Sequence, residues 1–278
     1  MNSWATRGIL GRVTVSVIVV SYNVRELLDE CLSSIPLSEQ VEAIVVDNAS
    51  SDDSAELVRA KHPGCVLLAL EANMGFSVAV NRGVARAHGE LILLLNPDAS
   101  LPNGSLEEML AVMTQRPELA ALGVRQQDQN GFFQLAVGPG PSLIAELGRK
   151  LIQGRLDRGS RLTARMVERF LSQPVEVPWV AASCLLVKRE WFDRIDGFDE
   201  EFFLFFEDID FCLRLREAGG RVLYDPRITI VHRRGASAKK ASELAERAYR
   251  QSQRRFWSKH RGSWASFMMR TYLKLRGR

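Results

Sequence analysis

The chain has 278 residues, 46% of them hydrophobic, which is enough apolar material for a large buried core and excludes a disordered chain. Of its 37 Lys and Arg, ten fall in residues 247–278, a stretch without Asp or Glu, so the rest holds 27 basic against 33 acidic side chains. A nucleic-acid binder would spread its positive charge over the body, so no nucleic-acid partner is expected.

Val and Ile over 13–21 read as a first strand, too short to span a bilayer and followed by polar Ser21-Tyr22-Asn23 rather than a cleavage site. The chain is therefore expected to stay in the cytoplasm. Its four cysteines, Cys31, Cys65, Cys184 and Cys212, include no C-x-x-C pair and read as reduced core residues. Leu27, Leu28, Cys31, Leu32 and Ile35 recur at helical spacing, and strands over 43–47 and 65–70 follow. A helix over 77–87, an apolar strand at Leu91–Leu95 and a helix with the face Leu106, Met109, Leu110 and Met113 complete a βαβαβα run. That order predicts an α/β fold with a mostly parallel central sheet and helices on both faces.

Beyond Gly123 the pattern shortens, with strands expected over 132–137 and 183–187. Residues 139–175 read as a basic helical insert, either a surface excursion or a flap on the acceptor side. A helix over 209–218, closed by Gly219-Gly220, precedes strands over 221–224 and 228–232. The main domain is expected to span 1–238, and 239–278 to form a C-terminal helical extension. In it Trp264, Phe267, Met268, Thr271, Tyr272 and Leu275 form one stripe while Arg270, Lys274 and Arg276 lie elsewhere. Such a helix suits a membrane interface, so residues 247–278 are expected to meet the membrane surface, with docking on the protein body or dimerisation as alternatives.

No G-x-G-x-x-G follows the first strand, and no Walker A lysine motif or G-x-S-x-G elbow occurs. Dinucleotide redox, P-loop and serine-hydrolase chemistry are disfavoured accordingly. The strand ends are nevertheless polar: Ser21-Tyr22-Asn23, Asp47-Asn48, Asn73-Met74-Gly75-Phe76 with Asn81 and Gly83, and Asn96-Pro97-Asp98. Asn-Pro-Asp is either a plain turn or a site, since ligands bind outside the carboxyl ends of such strands. A nucleotide requires such a set: carboxylate or amide groups for its base edge and ribose, and a metal ligand for its diphosphate. An acidic cluster, Glu207, Asp208 and Asp210, and His232 stand at further element edges.

The motifs V-S-V-I-V-V-S-Y-N, V-V-D-N-A-S-S-D, N-x-G-F-x-x-A-x-N-x-G, L-L-N-P-D, F-F-x-F-F-E-D-I-D-F-C-x-R and H-x-x-G-x-S occur in this order over 13–237. In them the chain resembles glycosyltransferase family 2, the inverting enzymes of GT-A fold, and among these the rhamnosyltransferase-like members. The resemblance implies that Ser21, Tyr22 and Asn23 line a nucleoside pocket and that Asp47 accepts from base or ribose. Asn73 and Gly75 would approach the diphosphate and Asn81 the donor, although Gly75 and Gly83 equally suit turn and packing geometry. Asp98 matches the last carboxylate of a D-x-D signature whose first position is here Asn96, and with His232 it would hold Mg²⁺ or Mn²⁺. Asp208 would be the general base, with Glu207 orienting or binding the acceptor. Ala181-Ala182-Ser183-Cys184 resembles the family's small-residue turn near the acceptor, and Trp179 is either a sugar-stacking platform or core. The implied donor is a nucleoside-diphosphate sugar of dTDP or UDP type, best dTDP-L-rhamnose. The implied acceptor is a glycan or a lipid-linked saccharide of cell-surface polysaccharide synthesis, met at the inner face of the membrane by a peripheral protein. A nucleotidyltransferase, or a catalytically silent nucleotide-sugar-binding protein tethered at the membrane, is the alternative.

Overall fold

The computed structural model of the chain describes residues 15–140, 142–233 and 242–275, with side chains up to 260 in the last span. The first half runs β1 (Val15–Ser21), α1 (Arg25–Ser33), β2 (Val41–Asp47), α2 (Ser54–Lys61), β3 (Val66–Ala69), α3 (Phe76–Val84), β4 (Leu91–Leu95), β5 (Ala99–Ser100) and α4 (Ser105–Gln115). The second begins with β6 (Leu119–Gln127), β7 (Phe133–Gln134), β8 (Val137–Gly138), α5 (Leu143–Asp157), α6 (Arg161–Phe170), β9 (Val175–Glu176) and β10 (Trp179–Val180). It continues with β11 (Cys184–Lys188), α7 (Arg189–Arg194), α8 (Glu207–Glu217), β12 (Arg221–His232) and α9 (Ser242–Leu275).

The main sheet has the order β3-β2-β1-β4-β11-β6-β12-β5. β1 to β4 pair in parallel, β11 is antiparallel to both β4 and β6, and β12 runs parallel to β6. The carboxyl ends of β1, β2, β4, β6 and β12 therefore meet the amino end of β11 at one edge. Alternate residues feed two cores: Ile18, Ile44, Val46, Ile92 and Leu94 on one face, Val17, Val19, Val45, Leu93 and Leu95 on the other. Near-continuous apolar strands are what a sheet covered on both faces requires.

Four local differences from the sequence reading have physical causes. The strands expected over 221–224 and 228–232 are one, β12, whose register against β6 shifts between Asp225 and Thr229. Pro226 cannot donate to the ladder, and a bulge there lets the strand continue. The strand expected over 132–137 is split into β7, paired with β6, and β8, paired with β10. β6 was not anticipated: its Leu119-Ala120-Ala121-Leu122 opening lacks β-branched residues, and burial between neighbouring strands overrides that propensity. The helix expected from 209 begins at Glu207, which places Glu207 and Asp208 with Asp210 in its first turn.

Candidate active site

Strand order reverses at β1, with β2 and β3 on one side and β4 on the other. Open α/β sheets bind ligands in the crevice above such a reversal. Ser21 and Asp47 end β1 and β2 as a register pair, and both are buried. Ser21 Oγ and Asp47 Oδ1 have no hydrogen-bond partner among the described residues, while Asp47 Oδ2 accepts from Ser50 N–H at 3.1 Å. An unmade buried hydrogen bond costs about 1–3 kcal/mol, so two such atoms side by side suit the polar groups of a ligand. Ser77, in the first turn of α3, brings a third buried oxygen without a partner among the described residues; the sequence reading missed it, and its signal was a small polar residue after Gly75-Phe76.

The loops above this edge are braced by amides. Asn23, at φ 56°, accepts from Ser51 N–H at 2.8 Å, next to half-buried Tyr22. Asn73 Oδ1 accepts from Gly75 N–H at 3.0 Å and from Asn48 Nδ2 at 2.9 Å, and Asn48 Oδ1 accepts from Met74 N–H at 2.9 Å. The 73–75 turn is thereby strapped to the end of β2. Gly75 has φ +83°, and a Cβ there would fall 2.6 Å from the Phe203 carbonyl oxygen, which accepts from Phe76 N–H at 2.7 Å. At Gly83 a Cβ would meet Ile18 Cγ2 at 2.8 Å and Val46 Cγ2 at 2.9 Å, so this glycine seats α3 on the sheet. Asn81 is placed differently from its expected position near the donor. Its Nδ2 donates to Phe198 O at 2.8 Å and its Oδ1 accepts from Phe198 N–H at 2.9 Å, which consumes the amide in clamping α3 to the chain after α7.

Asn96, Asp98 and His232 converge from β4 and β12. His232 Nε2 lies 3.1 Å from Asp98 Oδ1 and 3.3 Å from Asn96 Nδ2. Its Nδ1 lies 2.9 Å from Gln126 Oε1, an atom that only accepts, so Nδ1–H donates to Gln126 and Nε2 faces Asn96 and Asp98. Gln126, at the end of β6, is held in turn by the Ser183 hydroxyl at 2.8 Å, and Asn96 N–H donates to Ser183 O at 3.0 Å. A buried carboxylate and an imidazole nitrogen, with an amide beside them, fit a divalent cation that takes its remaining ligands from a diphosphate and water. Among the described residues no group of three His, Cys, Asp or Glu offers a self-sufficient metal cage.

Glu207 and Asp208 enter from the other side. The two residues before them, Phe205 at φ 70° and Phe206 at φ 67°, are left-handed, a conformation that costs a bulky residue on the order of 1–3 kcal/mol. α9 holds this turn in place. The Tyr249 ring packs on Phe205 and Phe206 at 5.6 and 5.3 Å, Phe256 packs on Phe206 at 5.3 Å, and Ser252 Oγ donates to Leu204 O at 2.8 Å. Glu207 is buried with Oε2 unpartnered, and burial, followed by the Asp208 charge, pushes its carboxyl well above the usual carboxylate range. Burial also raises the half-buried Asp208, against the lowering pull of the Ile209 and Ala182 N–H groups and of Arg149 on α5. Arg149 and the Ala182 amide were invisible to sequence reasoning because only the tertiary fold brings them to Asp208.

Two expectations are corrected here. Trp179 is 7% exposed, lies against Gly138 and donates Nε1–H to Pro139 O at 3.0 Å, so it is core and offers no open stacking face. Up to residue 260 the tail docks on the body. Phe256 and Trp257 are buried, Lys259 Nζ lies 2.6 Å from Asp199 and 2.8 Å from Asp210, and His260 Nε2 lies 2.7 Å from Asp210. Burial pushes the Asp210 carboxyl up, but His260, Lys259 and Arg214 outweigh it and hold the group at about 2. The stripe from Trp264 to Leu275 lies outside the described side chains.

Residues 16–195 match the model described as glycosyl transferase family 2. The chain belongs to that family. Membership decides for a glycosyltransferase over the nucleotidyltransferase alternative. Its relatives include the N-acetylglucosaminyl-diphospho-decaprenol L-rhamnosyltransferase of Mycobacterium tuberculosis, 31% identical over 245 residues, which are 82% of this chain and 80% of that protein. Rhamnosyltransferase WbbL of Escherichia coli K12 is 31% identical over 147 residues, 52% of this chain and 53% of that one. Among solved structures, a mannosyltransferase from Pyrobaculum calidifontis in complex with GDP-Man and Mn²⁺ superposes with a TM-score of 0.58 at 17% identity, covering 96% of this chain and 81% of the other. Staphylococcus aureus TarS 1-349 superposes at 0.57 and 17% identity, over 89% and 73%. The fold of this family 2 glycosyltransferase is GT-A, and no helix among its described residues is long and apolar enough to cross a membrane.

Proposed function

We propose that this glycosyltransferase moves L-rhamnose from dTDP-L-rhamnose, with inversion, to a hydroxyl of a lipid-linked saccharide at the inner face of the cell membrane. The reading is supported most by one turn, Ala182-Ser183. Its first N–H binds the Asp208 carboxylate, and its second residue binds Gln126 and, through its carbonyl, Asn96. The candidate base and the candidate diphosphate site thus share a rigid backbone element, as a transfer between two bound substrates requires.

Ser21 Oγ donates to or accepts from the nucleoside and Asp47 Oδ1 accepts from it, under loops that the Asn23, Asn48 and Asn73 amides hold. Asp98 and His232 Nε2, with the Asn96 amide beside them, would hold Mg²⁺ or Mn²⁺, which would supply positive charge to the departing diphosphate. Asp208 takes the proton of the acceptor hydroxyl as its oxygen forms a bond to the anomeric carbon. The bond from that carbon to the diphosphate breaks on the opposite face. Glu207, kept protonated by burial and by the neighbouring charge, donates a hydrogen bond to the acceptor.

Replacing Asp208 by Asn tests the assignment. Turnover of dTDP-L-rhamnose is expected to fall about 10²–10⁴-fold while nucleotide affinity stays unchanged. Full activity in Asp208→Asn would remove Asp208 as base.

A further inference from the structure

Five of the ten large apolar side chains that stand exposed among the described residues lie on α5 and α6, so the uncovered apolar surface is concentrated in one excursion. On α6, Leu162, Met166 and Phe170 are 72, 65 and 89% exposed and recur every fourth residue, which aligns them in one row. A second row, Arg161, Arg165 and Arg169, runs beside the first, also exposed and in no ion pair among the described residues. The opposite side of α6 is committed to the body: Ala164 is buried, and Glu168 Oε1 receives Arg125 Nη2 at 2.6 Å. On α5, Leu147 and Leu151 stand exposed one turn apart, with exposed Arg155 and Arg158 following.

We propose that α6, assisted by α5, is the surface by which this protein docks on an anionic lipid bilayer. An apolar row flanked by arginines on a helix of low overall hydrophobicity is the physical signature of a helix lying in a membrane interface. A second copy of the chain is the poorer occupant, because a symmetric contact through this face would oppose the two arginine rows, and like charges so placed are costly. A cleft of about 840 Å³ beside α6 is lined by Arg161, Arg165 and Arg233, by the acids Asp128, Asp157 and Glu168, and by Gln134. Gln134 Nε2 donates to His232 O at 2.7 Å, so a head group held at α6 faces the wall that carries the metal-site histidine. The inference rests in this last respect on the lipid-linked acceptor reading; bilayer binding itself does not require it.

The experiment is flotation of the full chain with vesicles of phosphatidylcholine alone and of phosphatidylcholine with phosphatidylglycerol, without acceptor. Binding is expected only with the anionic lipid. The triple change Arg161→Gln, Arg165→Gln, Arg169→Gln is expected to weaken it on the order of 100-fold, at about 1 kcal/mol per basic residue near the surface. Leu162→Ser, Met166→Ser, Phe170→Ser should abolish it. All six side chains are exposed, so both variants should keep the wild-type melting midpoint and its rise with nucleotide, which reports the donor site separately. Three outcomes would overturn the proposal: no binding of wild type to anionic vesicles, undiminished binding of both variants with loss only on changing residues 261–278, or a solution dimer that the Ser triple dissociates.

Discussion

Glu207 and Asp208 are adjacent in sequence, yet their surroundings separate their roles. The Asp208 charge is one of the causes that raise Glu207, so Asp208 ionises first and Glu207 keeps its proton. A neutral amide should therefore imitate Glu207 well: in Glu207→Gln, kcat is expected to stay within about tenfold of wild type, against a loss of about 10²–10⁴-fold in Asp208→Asn. Because burial raises Asp208 itself, the acid limb of the kcat/KM profile should lie above the ordinary Asp value near 3.9, with activity falling as pH drops through it. Stability should respond in the opposite direction for Glu207. A carboxyl raised by folding binds its proton more tightly in the native state, so its contribution is present at low pH and is lost as pH rises through the folded value. Denaturant titrations should show that decline in wild type and not in Glu207→Gln. Gln126 is the other residue to test. Gln126→Leu frees His232 Nδ1, and the Mn²⁺ dependence of nucleotide binding, read as a melting-point shift, should weaken by about 10–100-fold. The sequence displayed Asp98, His232 and the acids because each ends or begins an element. Gln126, Ser183 and Arg149 stayed hidden, since their importance lies in partners more than 50 residues away in the case of Ser183 with Gln126 and His232 with Gln126 at 106.

Among the elements, α9 up to residue 260 takes the docking alternative that its sequence left open. Its basic residues were assigned to lipid, whereas Lys259 and His260 close on Asp210, and Tyr249, Ser252 and Phe256 brace the left-handed Phe205-Phe206 turn. Removing the brace in Tyr249→Ala should lower kcat with little change in nucleotide affinity, because the acids lose their position while the strand-edge site is untouched. Asp210→Asn removes the buried charge that Arg214 and Lys259 share, while Lys259 keeps Asp199, and should reduce unfolding free energy by about 1.5–3 kcal/mol, measured by denaturant titration. Asp210 is depressed to about 2, so its contribution is present above the unfolded value near 3.9 and is lost as pH falls toward 2. The β1 to α4 run was legible because each segment carries a single clear period over its length. Two consecutive residues with positive φ, and a helix that packs through scattered aromatic and charged side chains, carry no such period.

At the scale of the molecule, the sheet gathers the ends of five strands and the start of a sixth along one edge, where the proposed donor, cation and acceptor positions share one crevice. The fold class and the reaction class were readable from motif order, whereas the exposed Arg and Leu rows of α5 and α6 were not: exposure is a property of the packed fold, and the sequence shows the 139–175 insert only as basic and helical. The central claim is that this edge binds a nucleoside diphosphate together with a divalent ion. The most direct test is a thermal-shift titration of the full chain with dTDP, UDP and GDP, each with and without Mn²⁺. At 100 times its Kd a native-state ligand adds about 2.7 kcal/mol, worth several degrees in a chain of this size. The expected result is a metal-dependent rise with dTDP that exceeds those with UDP and GDP and is lost in Asp98→Ala. No rise with any nucleotide, or a rise indifferent to Mn²⁺ and to Asp98, would contradict it.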